Sequence, residues 1–434
     1  MELRSTSDPK LRATWKDAVL AGLAPDGGLY LPTQLPFISP DEIKSLSTLP
    51  FSEFAYNLAQ CFLGTEVPAE DLRRICKDAF DFPCPTLQLD SHTHILELFH
   101  GPTCAFKDFG ARFMARLFRY FWGDNDRPLT VIVATSGDTG SAVANAFFDS
   151  GPNPSIRVAI LFPKDRVSEV QRKQMTTLGH NVTAIEVAGT FDDCQSLAKQ
   201  ALRDTHMADN TTLTSANSIN IARLLPQMFY YAYTSARLSP SDGVTYSVPS
   251  GNLGNLTGGL LAHLCGFNTK RLIAACNANR TFPDFIATGA FSPTSSFETT
   301  SNAMDVGNPS NFSRIISLYN HNLDSIRSTI SSYSIDDTET RSTMKKVYSQ
   351  YGYVLDPHTA VGVAALLKER NNSSDEGINC VLATAHPAKF SRVVEDALGI
   401  IPTAPRQLLE SLAKTENLVP ISTRYEELKE FLGR

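Results

Sequence analysis

Apolar residues recur at helical spacing over 15–23, 52–63 and 69–80, and the pattern predicts a mostly helical N-terminal region. Pro83 and Pro85 end it, and the texture changes between residues 85 and 94. Beyond that point short apolar runs alternate with Gly-rich turns and longer periodic stretches. The runs 129–134, 156–162, 182–187, 245–248, 272–276 and 380–383 read as buried strands. Helical patterns over 107–121, 141–148, 168–178 and 191–206 lie between them. Strand and helix in alternation predict an α/β fold, with parallel sheets flanked by helices and ligand-binding turns at one edge.

Composition narrows the class without naming it. The 434 residues include 39 basic and 45 acidic side chains, a net charge of −6, with 42% hydrophobic residues. That is a folded globular composition, too apolar for disorder. The acidic balance disfavours nucleic acid as a partner, because phosphate contacts need a local excess of Lys and Arg. No run approaches the ~18 apolar residues of a membrane span, and the N-terminus leads into a polar segment. The eight cysteines are scattered with no C-x-x-C pair, which argues against a disulfide framework or zinc site and for a reducing, cytoplasmic setting. The nine histidines form no H-E-x-x-H pattern, and no metal is assigned.

Four segments carry candidate chemistry. In the first, 99–110, Lys107 stands between Phe106 and Phe109 at a predicted helix start. Desolvation and the helix dipole disfavour the ammonium there and favour a neutral, nucleophilic amine suited to a Schiff base. An exposed lysine snorkelling over apolar surface has the same local sequence. The segment lacks the second Gly and the hydroxyl residue of a P-loop, and Cys104 stands where an S-x-x-K hydrolase needs Ser. In the second segment, 247–259, the turn Gly251, Asn252, Leu253, Gly254, Asn255 joins a strand to a helix. Its backbone N–H groups suit a phosphate, although a plain tight turn has the same sequence. The third, 134–141, is again strand, loop and helix, offering Ser136 and Thr139 hydroxyls to an anion. Neither loop has the G-x-G-x-x-G spacing of a dinucleotide site. In the fourth, 215–223, Asn217, Ser218 and Asn220 precede a helix that carries Arg223 in its first turns. N-capping alone explains the amides and hydroxyls; an anion clamp explains the arginine too. The segments 356–359 and 385–389 can also line a site.

Taken in order with 22–30 and 301–309, these segments resemble the threonine synthases, pyridoxal 5′-phosphate enzymes of the tryptophan synthase β fold type (fold type II). The resemblance implies a helical N-terminal region at 1–90, a large cofactor-binding domain from 91–125 and 238–434, and a smaller, mobile α/β domain at 126–237. It implies that Lys107 joins the cofactor aldehyde, that Gly251, Asn252, Leu253, Gly254 and Asn255 cradle its phosphate, and that Thr359 faces the pyridine nitrogen. Asp138 stands where many relatives have Asn beside the pyridine 3′-oxygen, and a carboxylate there has to share a proton with that oxygen. Ser136 and Thr139 would hold the substrate carboxylate; Asn217, Ser218, Asn220 and Arg223 would hold the phosphate of O-phospho-L-homoserine. No protein partner is implied. Rival readings are another lyase on the same scaffold, such as a serine/threonine dehydratase or a phospho-amine phospholyase, and a cofactor-holding protein with little turnover.

Overall fold

The computed structural model describes residues 1–123, 125, 127–149, 151, 155–204, 212–238, 242–372 and 377–433. Strands β1 (Leu3–Ser5), β2 (Arg12–Ala13) and β3 (Tyr30–Pro32) form a small antiparallel sheet in the order β2-β1-β3. Strands of two or three residues are too short to register as an alternation, so the sequence showed only the helices around them. The helices are Trp15–Ala21, Pro40–Leu46, Phe51–Leu63 and Ala69–Ala79, the second of them outside the sequence reading. Ser39 and Glu42 start the second with a capping box.

The rest of the chain builds two sheets. Strands β4 (Thr86–Gln88) and β5 (Thr93–Glu97) precede β6 (Leu129–Ala134), β7 (Ile156–Pro163), β8 (Val182–Val187) and β9 (Thr212–Ser215). Then come β10 (Val244–Pro249), β11 (Thr269–Cys276), β12 (Ile330–Ser334), β13 (Asn379–Ala383) and β14 (Leu418–Ile421). The six-stranded sheet runs β12-β11-β10-β13-β5-β4, parallel except for the β4–β5 pair. The five-stranded sheet runs β14-β8-β7-β6-β9 and is parallel throughout. Strand β6 is buried at all six positions, as expected where helices cover both faces. The helix read over 191–206 spans Phe191–Arg203, and its expected last two residues lie outside the described ones.

Strand β14 departs from the expected division, which placed 238–434 together. It pairs with β8, Leu418 opposite Ala184, and brings Ile421, Leu428 and Leu432 into the small sheet's core. The larger core is crossed by the helix Lys107–Trp122, which buries Phe109, Phe113 and Phe118 completely. Each contributes about 2–3 kcal/mol of burial, and edge-on aromatic contacts tie Phe109 to Phe51 and Tyr230. Because the paired strands run parallel, the segments after β5, β6, β9, β10 and β13 leave from strand C-termini. Residues from all five line one cleft.

Candidate active site

Lys107 is the first residue of the helix Lys107–Trp122. The turn before it is held to the segment after β13: Phe106 N–H donates to Thr384 O (2.9 Å) and His386 N–H to Cys104 O (3.0 Å). Asp108 anchors the turn, accepting from the Thr103 N–H (2.9 Å) and hydroxyl (2.7 Å). A side chain at Gly101 would place its Cβ 2.5 Å from Asp108 Oδ2, so the turn closes only with glycine there. The Lys107 ammonium is disfavoured mainly by burial. Asp138 opposes that effect while Arg223 and Lys389 add to it, and the pKa is pushed down to about 8.

The turn after β10 joins Lys107 in one cleft. Gly251 approaches the backbone of Met304 so closely that a Cβ would lie 2.7 Å from Met304 Cα. Leu253 is left-handed (φ 58°) ahead of the helix Gly254–Leu264, whose first N–H groups point away from its body. Asn252 donates to Ser218 Oγ (2.7 Å) and accepts from Ser310 N–H (2.5 Å). Tyr230 and Tyr231 hydroxyls donate to Asn255 Oδ1 at 2.7 and 2.8 Å, while the buried Asn255 Nδ2 has no partner. A helix N-terminus and an unsatisfied buried donor lining one cleft fit an oxyanion such as the cofactor's phosphate.

Across the cleft lies the turn after β6. Thr135 Oγ1 accepts from the N–H groups of Gly137 (2.9 Å) and Gly140 (2.8 Å), leaving Ser136 and Thr139 on the cleft wall. Asp138 is buried, and Oδ1 meets Lys389 Nζ at 2.8 Å and Gln171 Nε2 at 2.9 Å. Burial alone would raise its pKa. The Lys389 and Lys107 charges and the hydrogen bonds from Lys389 and Gln171 outweigh that and hold the carboxyl well below the usual range.

After β9, Asn217 donates to Ala134 O (2.8 Å) and Ser218 meets Asn252, joining the loops of the two sheets. Arg223 is buried against the cleft; Nη1 donates to Ala216 O (2.6 Å) and Nε has no partner. Gly110 admits this arginine, since a Cβ there would lie 3.0 Å from its Nε. Asn220 stands behind the wall, its amide donating to Val19 O (2.8 Å). Thr359 also stands behind the wall, its hydroxyl on Asp356, and the lining residue at that point is His358. Ala303 N–H donates to His358 Nε2 at 3.2 Å, which leaves the proton on Nδ1 to donate to Asp356 Oδ1 at 2.9 Å.

The sequence reading held His358 and Lys389 only within segments able to line a site, with no role given to either, and did not include Gln171 or Arg314. Arg314 is fully buried and joins Tyr30 O (3.1 Å) to Ser218 O (2.9 Å) and Ile219 O (2.6 Å). Its one local signal is a cation in the otherwise uncharged helix Phe312–Leu318. Among the described residues no cluster of His, Cys, Asp and Glu suits a metal, and no helix is long and apolar enough to cross a membrane.

Residues 85–384 match the family described as "Pyridoxal-phosphate dependent enzyme"; 2–80 match "Threonine synthase N terminus" and 359–432 "Threonine synthase, C-terminal". The threonine synthase of Escherichia coli (strain K12) is 41% identical over 412 residues, 94% of each chain. Its crystal structure superposes with a TM-score of 0.92, covering 100% of this chain and 99% of that one. The pyridoxal-phosphate-bound threonine synthase of Brucella melitensis is 36% identical, with a TM-score of 0.92 and the same coverage. The yeast enzyme gives 31% and 0.90, covering 99% of this chain and 98% of that one. A fungal L-serine ammonia-lyase from Rhizomucor miehei, at 12% identity, a TM-score of 0.56 and coverage of 73% and 98%, shares the fold alone.

Proposed function

From the chain's membership of the threonine synthase family of pyridoxal-phosphate enzymes, together with the geometry of its cleft, we infer the reaction and the parts its residues take in it. It converts O-phospho-L-homoserine and water to L-threonine and inorganic phosphate. One observation carries the assignment of roles. A lysine of lowered basicity, an amide left unpartnered beside a helix N-terminus and an arginine with an unpartnered Nε meet in a single cleft.

Pyridoxal phosphate, when bound, supplies an electron sink for negative charge developing at the substrate Cα. Lys107 would hold its aldehyde, and the Gly251–Asn255 turn with Asn255 Nδ2 its phosphate. The Ser136 and Thr139 hydroxyls and the N-terminus of the helix Asp138–Phe147 orient the substrate carboxylate. Arg223 and Ser218 take the substrate phosphate, at a point where Ser218 also meets Asn252 of the Gly251–Asn255 turn. Asn217 and Asn220 fix that loop through the backbone. Lys107, a neutral amine above about pH 8, takes the proton from Cα and moves protons at the neighbouring carbons. Phosphate then leaves from Cγ, and water adds at Cβ. Asp138 and His358 bound the cleft beside Lys107, with Thr359 supporting His358 through Asp356.

The division into units is supported by the two sheets, with 418–432 joined to the smaller one. The helix Phe191–Arg203 lends Phe191, Gln195 and Lys199 to the cleft mouth, where closure of the smaller unit would exclude water. Eight unpaired cysteines support a cytoplasmic setting. All the groups assigned to the site come from one chain. The test is the visible spectrum of the purified protein before and after O-phospho-L-homoserine, with threonine and phosphate assayed in parallel. Equal threonine and phosphate are expected, and none from Lys107→Ala; a keto acid with ammonia would overturn the reaction.

A further inference from the structure

The Asp138–Lys389 pair bridges the two sheets. Asp138 follows β6 of the five-stranded sheet; Lys389 lies in the short helix Pro387–Phe390 that follows β13 of the six-stranded one. Its side chain has no exposure, and the Asp138 side chain 4%. Lys389 Nζ lies 2.8 Å from Asp138 Oδ1 and donates to Thr103 O at 2.8 Å. Thr103 in turn holds Asp108, the neighbour of Lys107. Gln171 donates to the same Asp138 oxygen, Oδ1, at 2.9 Å, and Gly137 has no Cβ to push Gln171 away. An isolated bridge between Ala105 and Ala385 clips the Lys107 and Lys389 segments together.

Two buried charges this close are a poor means of adding stability, since the desolvation of both offsets most of their attraction. Their position suggests another use. Asp138 lines the cleft with Lys107, and an unbalanced carboxylate there would hold the Lys107 nitrogen as an ammonium. We propose that Lys389 is a positioning residue, which neutralises and fixes Asp138 so that this carboxylate orients the cleft without tethering the Lys107 amine. The charges acting on Lys107 are Asp138, Arg223 and Lys389; the titratable groups that face Lys389 and feel its charge include Asp108, Cys104 and His386. The balance at Lys107 is thus two cations against one anion, and removing either member of the pair moves it in opposite directions. The pair also answers the difficulty raised by a carboxylate at 138, because its charge has a resident partner before any cofactor arrives.

The inference rests on Lys107 being the cofactor amine, yet its test does not require turnover. The full-length chain, with cofactor released as its oxime by hydroxylamine and removed by dialysis, is pulse-labelled with acetic anhydride from pH 6 to 11. The Lys107 peptide is quantified by mass spectrometry, and circular dichroism checks the fold of each variant. Lys389→Met is expected to raise the Lys107 midpoint by about one pH unit, a tenfold change in proton affinity. Asp138→Asn is expected to lower it, and Asp138→Asn/Lys389→Met to return it near the wild-type value. Should Lys389→Met not fold, the Asp138→Asn and double-variant comparison still decides. Overturning results are an unmoved midpoint in Lys389→Met or Asp138→Asn, or a double variant that shifts as far as Lys389→Met. Failure of the cofactor assignment would show separately, as visible absorbance retained by Lys107→Ala.

Discussion

Lys107 holds its proton less tightly than an exposed lysine, chiefly because its nitrogen is desolvated, and this difference has a thermodynamic signature. Between pH about 8 and the ordinary value of 10.5 the unfolded chain binds a proton at this position that the folded chain does not. Stability of the cofactor-free protein therefore rises with pH across that window through this group. Other groups titrate there too, so the comparison is between wild type and Lys107→Met in thermal unfolding. The wild type is expected to gain on the variant from pH 8 to 10.5, and a constant difference would contradict the lowered basicity. Arg223 makes a second case at this scale. Arg223→Ala removes a charge-assisted contact of about 1.5–3 kcal/mol, so KM for the phosphorylated substrate is expected to rise about ten- to hundredfold. Cofactor retention, read from visible absorbance, is expected to stay near wild type. Lys107 and Arg223 were legible because flanking aromatics and a helix start are local. The role of Lys389 and the presence of Gln171 were not, since each acquires its meaning from Asp138 on a different segment.

Among the elements, the turns show which glycines are obligatory. Gly137 has φ 137°, and a Cβ there would lie 2.4 Å from the Gln171 side chain that holds Asp138. Gly137→Ala combines about 1–3 kcal/mol of backbone strain with displacement of Gln171. A lower midpoint in urea is expected, together with a changed pH dependence of the visible spectrum; an unchanged spectrum would separate Gln171 from the site. Leu253 occupies a left-handed conformation without being glycine, yet it is only 2% exposed. Burial worth about 2–3 kcal/mol exceeds the roughly 1–2 kcal/mol of a left-handed residue, and that balance keeps Leu there. The central strands β6, β7 and β10 could be read from sequence because burial on both faces leaves them mostly apolar, with only small hydroxyl residues and one exposed arginine between. Edge strands β4, with three exposed residues, and β14, partly exposed, carry no such pattern.

For the molecule as a whole, the least legible feature is the path of the C-terminus. The helix Ser391–Leu398 packs within the larger unit, the helix Arg406–Leu412 already packs on the helix Glu169–Thr176, and β14 then pairs with β8, so the smaller sheet is completed by the last part of the chain. Nothing periodic in 418–421 names Ala184–Val187 as its partner, because strand pairing at such separation is set by which edge remains open after the rest has folded. The helix Tyr425–Leu432 then packs on the helix Phe191–Arg203, with Leu428 fully buried among Ile185, Leu197 and Ala201. That second helix supplies Phe191, Gln195 and Lys199 to the cleft mouth. The C-terminal helix therefore supports the mouth from behind without touching the cleft. Leu428→Ala is expected to lower unfolding stability by about 2–5 kcal/mol and to leave the visible spectrum of the bound cofactor unchanged, since the Lys107 and Gly251–Asn255 segments belong to the other unit. Its effect on turnover should fall on KM before kcat, because a loosened helix at the mouth weakens substrate capture while the groups around Lys107 keep their places. A variant that loses cofactor as readily as it loses stability would show the two units to be coupled more tightly than the separate sheets imply. The Lys389–Asp138 bridge would then be where that coupling runs.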